Sequence, residues 1–375
     1  MKTLGLFSGI GGFEFGMAKS GHELSCLCEI DPAAQAVLKK HFDGVPVEDD
    51  IRLLSRFPHG IDLVVGGFPC QDLSQVGRAR GVRGEKSGIV SQVFRLLEKT
   101  PVQYVLLENV PFMLHLDRGA AVRYITSQLE RLGYSWAYRT VDTRSFGLPQ
   151  RRERVFLLAS LDESPWRRLF SESVLSVDSA ANDAAPCGFY WTEGNRGLGW
   201  APDAIPTLKG GSGLGIPSPP AIWRRDDSIV TPDLRDAERV QGFPANWTEP
   251  AESVGARGAR WRLVGNAVTT RVAEWLGTAL SDGCGAEPQG LRALKGRDSW
   301  PSAAMGRNGE RYEVPASKWP VRRKMPSIED FLHYDPRALS HKATSGFWKR
   351  LEASGLTYPT AFARALRAHI RKSRS

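Results

Sequence analysis

The stretch KTLGLFSGIGG, residues 2–12, sets the architecture of the chain. Lys2 to Phe7 reads as a short strand, Ser8-Gly9-Ile10-Gly11-Gly12 interrupts it, and Phe13 to Ser20 continues as a helix. A strand that passes through a glycine turn into a helix is the first half of a β-α-β unit. The same alternation runs on downstream. Leu24 to Glu29 is a second strand, and Asp31-Pro32 supplies an N-cap with proline at the first helical position for a helix to His41. Ile61 to Val65 and Tyr104 to Leu107 are apolar strands, separated by a helix over Val90 to Lys99. Ala121, Val122, Ile125, Leu129 and Leu132 mark the apolar face of a further helix, and Trp136 to Val141 and Val155 to Ser160 supply two more strands. This order predicts an α/β fold: a doubly wound, mostly parallel, Rossmann-like sheet covered by helices, with its ligand site at the carboxyl ends of the strands.

A chain of 375 residues should hold two or three units at about 150 residues per domain. Its five cysteines, Cys26, Cys28, Cys70, Cys187 and Cys284, are scattered without a CxxC pair. That argues against a disulfide framework or a zinc cluster and for a reducing, cytoplasmic compartment. The apolar start breaks at Ser8-Gly9 and meets Glu14 without a cleavage site, so no signal peptide is expected. No run of about 20 apolar residues is present, and no membrane span is expected. The net charge is +9, and residues 286–375 carry 18 Lys and Arg against 8 Asp and Glu, so the whole excess sits in the last quarter. Such asymmetry points to a polyanionic partner, nucleic acid before membrane, because no basic amphipathic helix with a broad apolar face is evident. A solvated basic surface that aids solubility is the other reading.

Four stretches fall just past strand ends and should converge on one rim. The G-x-G-G turn lets the backbone approach a ligand or lets helix and strand pack tightly, and the absence of G-K-[ST] excludes a P-loop. Glu29 stands where a ribose hydroxyl would be held, and Asp50, ahead of Ile51, adds an acceptor. A nicotinamide dinucleotide stays open, but two acids suit a cationic sulfonium cofactor better than one carrying two phosphates. In GGFPCQ, residues 66–71, Pro69 fixes the backbone before Cys70, which is either a small inert hydrophobe or a nucleophile. The segment from Gln71 to Gly88 carries Gly77, Gly81 and Gly84 with Arg78, Arg80, Arg83 and Lys86. It reads as a lid over a phosphate-bearing substrate or as an ordinary solvated loop. Glu108-Asn109-Val110 puts a carboxylate at the end of a buried strand, where an acid needs a partner or a use. Arg152 and Arg154 alternate by two and should share one strand face, so a thiol, a carboxyl group and arginines are expected in one cleft.

In this order the motifs resemble those of the DNA (cytosine-5)-methyltransferases. They stand as Phe7-Ser8-Gly9-Ile10-Gly11-Gly12, Glu29-Ile30-Asp31, Asp50-Ile51, Gly67-Phe68-Pro69-Cys70-Gln71 and Ser87-Gly88. Glu108-Asn109-Val110, Gln150-Arg151-Arg152-Glu153-Arg154, Gln241-Gly242-Phe243-Pro244 and Gly265-Asn266-Ala267-Val268 follow. The resemblance implies a catalytic, S-adenosyl-L-methionine-binding domain over 1–160, a small irregular target-recognition region over 161–261, and a return to the catalytic domain over 262–285. Residues 286–375 lie outside it and read as a small basic extension with short helices at Pro326 to Leu332, Ser345 to Ser354 and Pro359 to Lys372, adding phosphate contacts.

The implied reaction moves a methyl group from S-adenosyl-L-methionine to C5 of a flipped-out cytosine in double-stranded DNA. Cys70 would attack C6, Glu108 would relieve charge at N3, Arg154 would hold the base, and Arg152 would support the cleft and phosphate. The cofactor would lie against Phe7, Gly9, Gly11 and Gly12, with Glu29 at its ribose and Ile30, Asp50 and Ile51 at its adenine. Pro69, Ile89, Asn266 and Val268 would complete that pocket, and Gln71, Ser74, Arg78, Arg80, Arg83 and Gln150 would meet the DNA. A nucleoid-associated monomer is expected, with a cognate restriction endonuclease as its cellular companion and no metal. The chain departs from the pattern at Ile30, where an aromatic residue is usual, and at Ser228-Ile229-Val230, where an arginine commonly precedes the Thr-Pro pair matched by Thr231-Pro232. Thr207-Leu208-Lys209-Gly210-Gly211-Ser212-Gly213 reads as a base-reading loop or a linker. A transfer RNA cytosine-5 methyltransferase and a catalytically silent DNA-binding regulator are the alternatives.

Overall fold

A computed structural model describes residues 1–69, 88–161, 164–170, 186–193, 195, 197–210, 219–254, 258–282, 285–295 and 299–373. The chain forms two compact units. The first gathers Met1–Asp142, Glu153–Ser176 and Val268–Arg322, and the second Thr143–Arg152, Val177–Ala267 and Arg323–Ser375. Among the described residues, no helix is long and apolar enough to cross a membrane.

Unit one is built on a ten-stranded sheet. Its strands are β1 (Lys2–Leu6), β2 (Glu23–Cys28), β3 (Val47–Glu48), β4 (Leu63–Gly67), β5 (Tyr104–Asn109), β6 (Ser135–Asp142), β7 (Glu153–Ser160), β8 (Arg292–Ala293), β9 (Ala303–Arg307) and β10 (Glu310–Glu313). They stand in the order β8-β10-β9-β6-β7-β5-β4-β1-β2-β3. The helices α1 (Gly12–Lys19), α2 (Pro32–His41), α3 (Val90–Lys99), α4 (Ala120–Arg131) and α5 (Thr270–Ser281) accompany it. β3, β2, β1, β4 and β5 pair in parallel. Leu63, Val64 and Val65 in β4 and all six residues of β5 are buried, as central parallel strands require. Because β1 lies between β2 and β4, the connections after β1 and β4 leave the sheet in opposite directions, which opens a crevice at their carboxyl ends.

Three expectations shift. The third strand is Leu63–Gly67, so Gly66 and Gly67 belong to it rather than to a turn, and the fourth runs on to Asn109, so Glu108 sits within it. β6 and β7 pair antiparallel with each other, from Ser135↔Ser160 to Asp142↔Glu153, and β7 pairs antiparallel with β5. Periodicity reports burial and not strand direction, so the mixed character of the sheet beyond β5 was not readable from it. The third shift concerns residues 286–375, which form no separate basic domain: they divide between the two units. Ala303 to Gly306 pair antiparallel with Trp136 to Arg139, extending the sheet of unit one. Trp300 is buried against the rings of Trp136 and Tyr138. Arg139, fully buried on β6, donates from Nη1 to the Leu169 carbonyl at 3.0 Å and from Nη2 to the Ser317 carbonyl at 2.7 Å. The charge count of the segment concealed an apolar strand.

Unit two contains a five-stranded sheet of short strands, Ala201–Pro202, Cys187–Phe189, Ala221–Trp223, Ile229–Thr231 and Arg337–Ala338 in that order, each antiparallel to its neighbour. Two helices near the chain end, α6 (His341–Glu352) and α7 (Thr360–Lys372), complete its core. Phe347 and Phe362, both fully buried, pack on Phe189 with ring centroids at 5.1 and 4.9 Å. The segment 187–231 is therefore not self-sufficient: its strands are covered by helices that lie more than a hundred residues further along the chain. Phe362→Ala should destabilise this unit by about 3–5 kcal/mol. A denaturant midpoint equal to that of the wild type would contradict the assignment of α7 to this core.

Glu14 on α1 is a feature of unit one that the sequence did not announce. Its side chain is 1% exposed, and neither carboxyl oxygen has a hydrogen-bond partner, although Ser8 lies beside it. A Cβ at residue 5 of β1 would overlap Glu14 Oε1, so only glycine there leaves the carboxyl room. Burial raises its pKa from 4.5 to about 7, and the charge of Glu29 adds to the rise while the neighbouring Ser8 hydroxyl opposes it. A carboxyl that binds its proton more tightly when folded stabilises the protein at low pH, and that contribution is lost as pH rises through the folded pKa. Relative to Glu14→Gln, the wild type should lose about 2–3 kcal/mol of unfolding free energy between about pH 5 and pH 8. Urea titrations at the two pH values check this; an equal difference between the two proteins at both would contradict it.

Candidate active site

The carboxyl ends of β1, β2, β4 and β5 carry most of the residues singled out by sequence. β1 ends into Phe7, which holds a left-handed φ of 55°, and into Gly9, with φ 56°. A side chain at Gly9 would meet nothing within 4 Å, so the turn faces open space at that point. The Gly9 N–H donates to Glu29 Oε2 at 2.7 Å, and the Asp31 N–H donates to Glu29 Oε1 at 2.8 Å. Glu29 at the end of β2 thus clamps the glycine turn as well as standing beside it. Burial raises its pKa, against these two donors, which favour the charged form. Gly11 caps α1, and a Cβ on Gly12 would overlap the Val268 carbonyl, so both glycines serve close packing within unit one.

The residues expected at the adenine divide. Ile30 follows Glu29 and is 62% exposed, an apolar side chain left standing at the crevice. Ile51 is buried in the core, whereas Asp50 is taken up by Arg52, whose Nε lies 2.9 Å from Oδ2 and whose backbone N–H donates to Oδ1 at 2.9 Å. That hydrogen bonding holds the Asp50 carboxyl below its ordinary pKa. Ile89 lies partly buried against the core, Val268 is 8% exposed, and Pro69 is exposed.

Gly67 and Glu108 face each other across the β4–β5 ladder. A Cβ at residue 67 would stand 3.1 Å from Glu108 Oε2 and 3.5 Å from Val268 Cγ2, so the missing side chain leaves room for the carboxylate. Arg154 on β7 holds Glu108 from the other side, Nε to Oε1 at 2.9 Å. Asn109, the last residue of β5, donates from Nδ2 to the Phe68 carbonyl at 2.8 Å and accepts from the Val110 N–H at 2.8 Å. The chain two residues before Cys70 is thereby tied to the end of the strand that carries Glu108. Asn109 had no assigned role in the sequence reading, though its place beside Glu108 in the Glu-Asn-Val motif was the available signal.

Cys70, Gln71, Ser74, Arg78, Arg80 and Arg83 lie outside the described residues. The three described cysteines are buried, and burial pushes Cys26 up to about 11 and Cys28 up to about 12. Neither of those two is a thiolate at neutral pH.

Two residues expected at the substrate do something else. Arg152 precedes β7 rather than lying in it, so the alternation that should have paired it with Arg154 does not apply. It is 1% exposed and belongs to unit two, where it donates to the carbonyls of Leu208, Gly265 and Ala267 at 3.4, 3.2 and 2.8 Å. Gln150 is fully buried: its amide donates to the Val240 carbonyl and to Gln241 Oε1, both at 3.3 Å, and its Oε1 accepts from the Leu208 N–H at 3.1 Å. Gln241 in turn donates to the Val264 carbonyl at 2.9 Å. Together they fasten the backbone at Leu208 and at the Gly265-Asn266-Ala267 turn, and Asn266 itself is exposed at the end of its helix. Polar side chains this deeply buried read in sequence as cleft residues because their burial is not visible there.

Comparison with known proteins matches residues 1–184 to the family model for C-5 cytosine-specific DNA methylases. The chain is 48% identical over 384 aligned residues to the type II methyltransferase M2.BsuMI of Bacillus subtilis (strain 168), covering 98% of this chain and 97% of that protein. It is 28% identical to the type II methyltransferase M.DsaV of Dactylococcopsis salina, over 72% of this chain and 83% of the relative. The solved structure of the S. pombe Dnmt2 methyltransferase shares the fold at a TM-score of 0.55 and 16% identity, over 75% of this chain and 98% of that one. Near full-length identity at this level, carried on a sheet that sets Gly67, Glu108 and Arg154 side by side, makes the chain a member of the DNA (cytosine-5)-methyltransferase family.

Proposed function

We propose that the protein methylates C5 of cytosine in double-stranded DNA, using S-adenosyl-L-methionine and a covalent bond between Cys70 and C6 of a base turned out of the duplex. The observation that carries this reading is the Asn109 bond to the Phe68 carbonyl, which ties the segment leading to Cys70 to the end of β5, where Glu108 meets Arg154 of β7. A cytosine ring is a poor nucleophile at C5 until C6 has been attacked. Formation of the sulfur–C6 bond pushes the ring electrons toward N3, where Glu108 is suited to share a proton, and leaves C5 electron-rich. Arg154 acts on that step by orienting Glu108 and favouring its anion once the proton has moved. After C5 is alkylated, loss of its proton lets the sulfur–C6 bond break and returns the cysteine.

The residues of unit one suit a sulfonium nucleoside. Exposed Ile30 offers an apolar face to adenine, Gly9 leaves space beside the turn, and the Glu29 carboxylate is available at the sugar through lone pairs not used by Gly9 and Asp31. When bound, the cofactor supplies the electrophilic methyl group. Arg152 and Gln150 support the reaction from a distance, by fixing the backbone that leads to Val268.

Base-resolution conversion sequencing of unmethylated duplex DNA incubated with S-adenosyl-L-methionine tests this reading. Methylated cytosines in one fixed context with wild type, and none with Cys70→Ser, are expected; methylation by Cys70→Ser, or of transfer RNA alone, would overturn it. Arg154→Lys, which keeps a cation beside Glu108 but loses the guanidinium geometry, should lower the methylation rate by about 10²-fold or more with little change in the thermal transition. Arg152→Ala should instead lower the transition itself, since it strips buried carbonyls of their donor. Equal thermal loss in the two variants would contradict the separation of roles.

A further inference from the structure

The arginines of unit two fall into two groups. Most are spent internally: Arg225 pairs with Glu329 at 2.8 Å, Arg239 with Asp236 at 2.5 Å, and Arg350 donates to the Glu193 and Trp191 carbonyls at 2.8 Å. Those on α7 are engaged far less. Arg364, Arg367 and Arg371 are all exposed, at spacings of three and four that put them on one face of the helix. The opposite face, Phe362, Ala365 and Leu366, is buried in the core, so the helix is anchored and the row is held outward on a rigid support. Among the described residues no acid stands within ion-pair distance of Arg364 or Arg371, and Arg367 reaches only Glu352, at 3.9 Å, while lying 4.7 Å from the centroid of the Trp348 ring.

Two ordinary explanations fall short. Cations in the last turn of a helix complement its dipole, which accounts for Arg371 but not for Arg364 and Arg367 in its middle. A solvated face of mixed charge would be unremarkable, but residues 323–375 carry 11 Lys and Arg against 4 Asp and Glu. Seven residues of helix span about 10 Å, a length of duplex axis over which one DNA strand presents about three phosphates at about 3.4 Å of axial rise each.

We propose that the outward row Arg364, Arg367 and Arg371 on α7 is a phosphate clamp, through which the recognition unit grips the DNA backbone irrespective of base sequence. This rests on the reading of double-stranded DNA as substrate. Guanidinium groups on a fixed helix position a duplex and carry no sequence information, so the row sets register and affinity while other parts of the unit read bases.

The test is the salt dependence of binding to a fluorescently labelled duplex of mixed sequence, between about 50 and 200 mM salt. The variant Arg364→Gln/Arg367→Gln/Arg371→Gln should show a slope of log K against log salt shallower by about 2–3, with the corresponding lysine variant keeping the wild-type slope. A glutamine variant with the wild-type slope, or a change seen with transfer RNA but not with the duplex, would overturn the clamp. All three side chains are exposed, and the single variant Arg371→Gln, expected to lower the slope by about 0.9, repeats the test with the least disturbance to α7. Methylation of duplex DNA by wild type in the same preparation separates the two claims: its absence removes the DNA reading, whereas its presence with an unchanged variant slope removes the clamp alone.

Discussion

A carboxylate at the end of a fully buried strand is tolerated only if something cationic reaches it, and in this protein that requirement shapes the centre of unit one. Glu108 is 8% exposed on β5, and Arg154 meets it from β7. The antiparallel pairing of β7 with β5 brings the two chains together here, with Asn109 opposite Val155, the residue after Arg154. On the other side β4 must contribute no side chain, and Gly67 satisfies that demand. Asn109 then uses its amide to capture the chain as it leaves β4. Sheet direction, one glycine and one amide thus follow from the placing of a single charge.

The parallel half of the fold was legible in sequence because its signals are local. The G-x-G-G turn, the Asp31-Pro32 cap and the apolar runs at β4 and β5 each record one physical need of a strand or a helix end. Asp31 does cap α2, accepting from the Ala33 N–H at 3.0 Å. The antiparallel half left no such record, since Trp136 to Val141 and Val155 to Ser160 carry the same apolar pattern whichever way they pair. Of the site, Glu29, Glu108 and Arg154 were readable as charges at strand ends. The bonds of Gln150 and Arg152 to buried carbonyls were not readable, because a polar residue inside a motif looks the same whether it faces a substrate or a buried carbonyl. Glu14 was read only as a charge that ends the apolar start: nothing in Phe13-Glu14-Phe15 says that the acid turns inward onto Gly5.

The end of the chain shows how charge counts mislead about architecture. Its net positive charge suggested an appended domain, yet Ala303 to Gly306 lengthen one sheet and Phe347 and Phe362 fill the core of another unit. Apolar residues decide where the segment packs; the basic residues decorate what remains exposed. The sheet of unit two, with strands of two or three residues, buries too little surface by itself, and the two C-terminal helices supply the rest.

The most direct test of the central claim is to trap the bond between the protein and the base. A duplex carrying 5-fluorocytosine at the methylated position has no proton at C5 to lose, so the sulfur–C6 bond, once made, cannot be released after alkylation. Incubation with S-adenosyl-L-methionine, digestion and mass spectrometry should find the nucleotide attached to the peptide containing Cys70. A modified peptide containing Cys284 instead, or complete methylation elsewhere in the DNA with no stable adduct at the fluorinated base, would contradict the account.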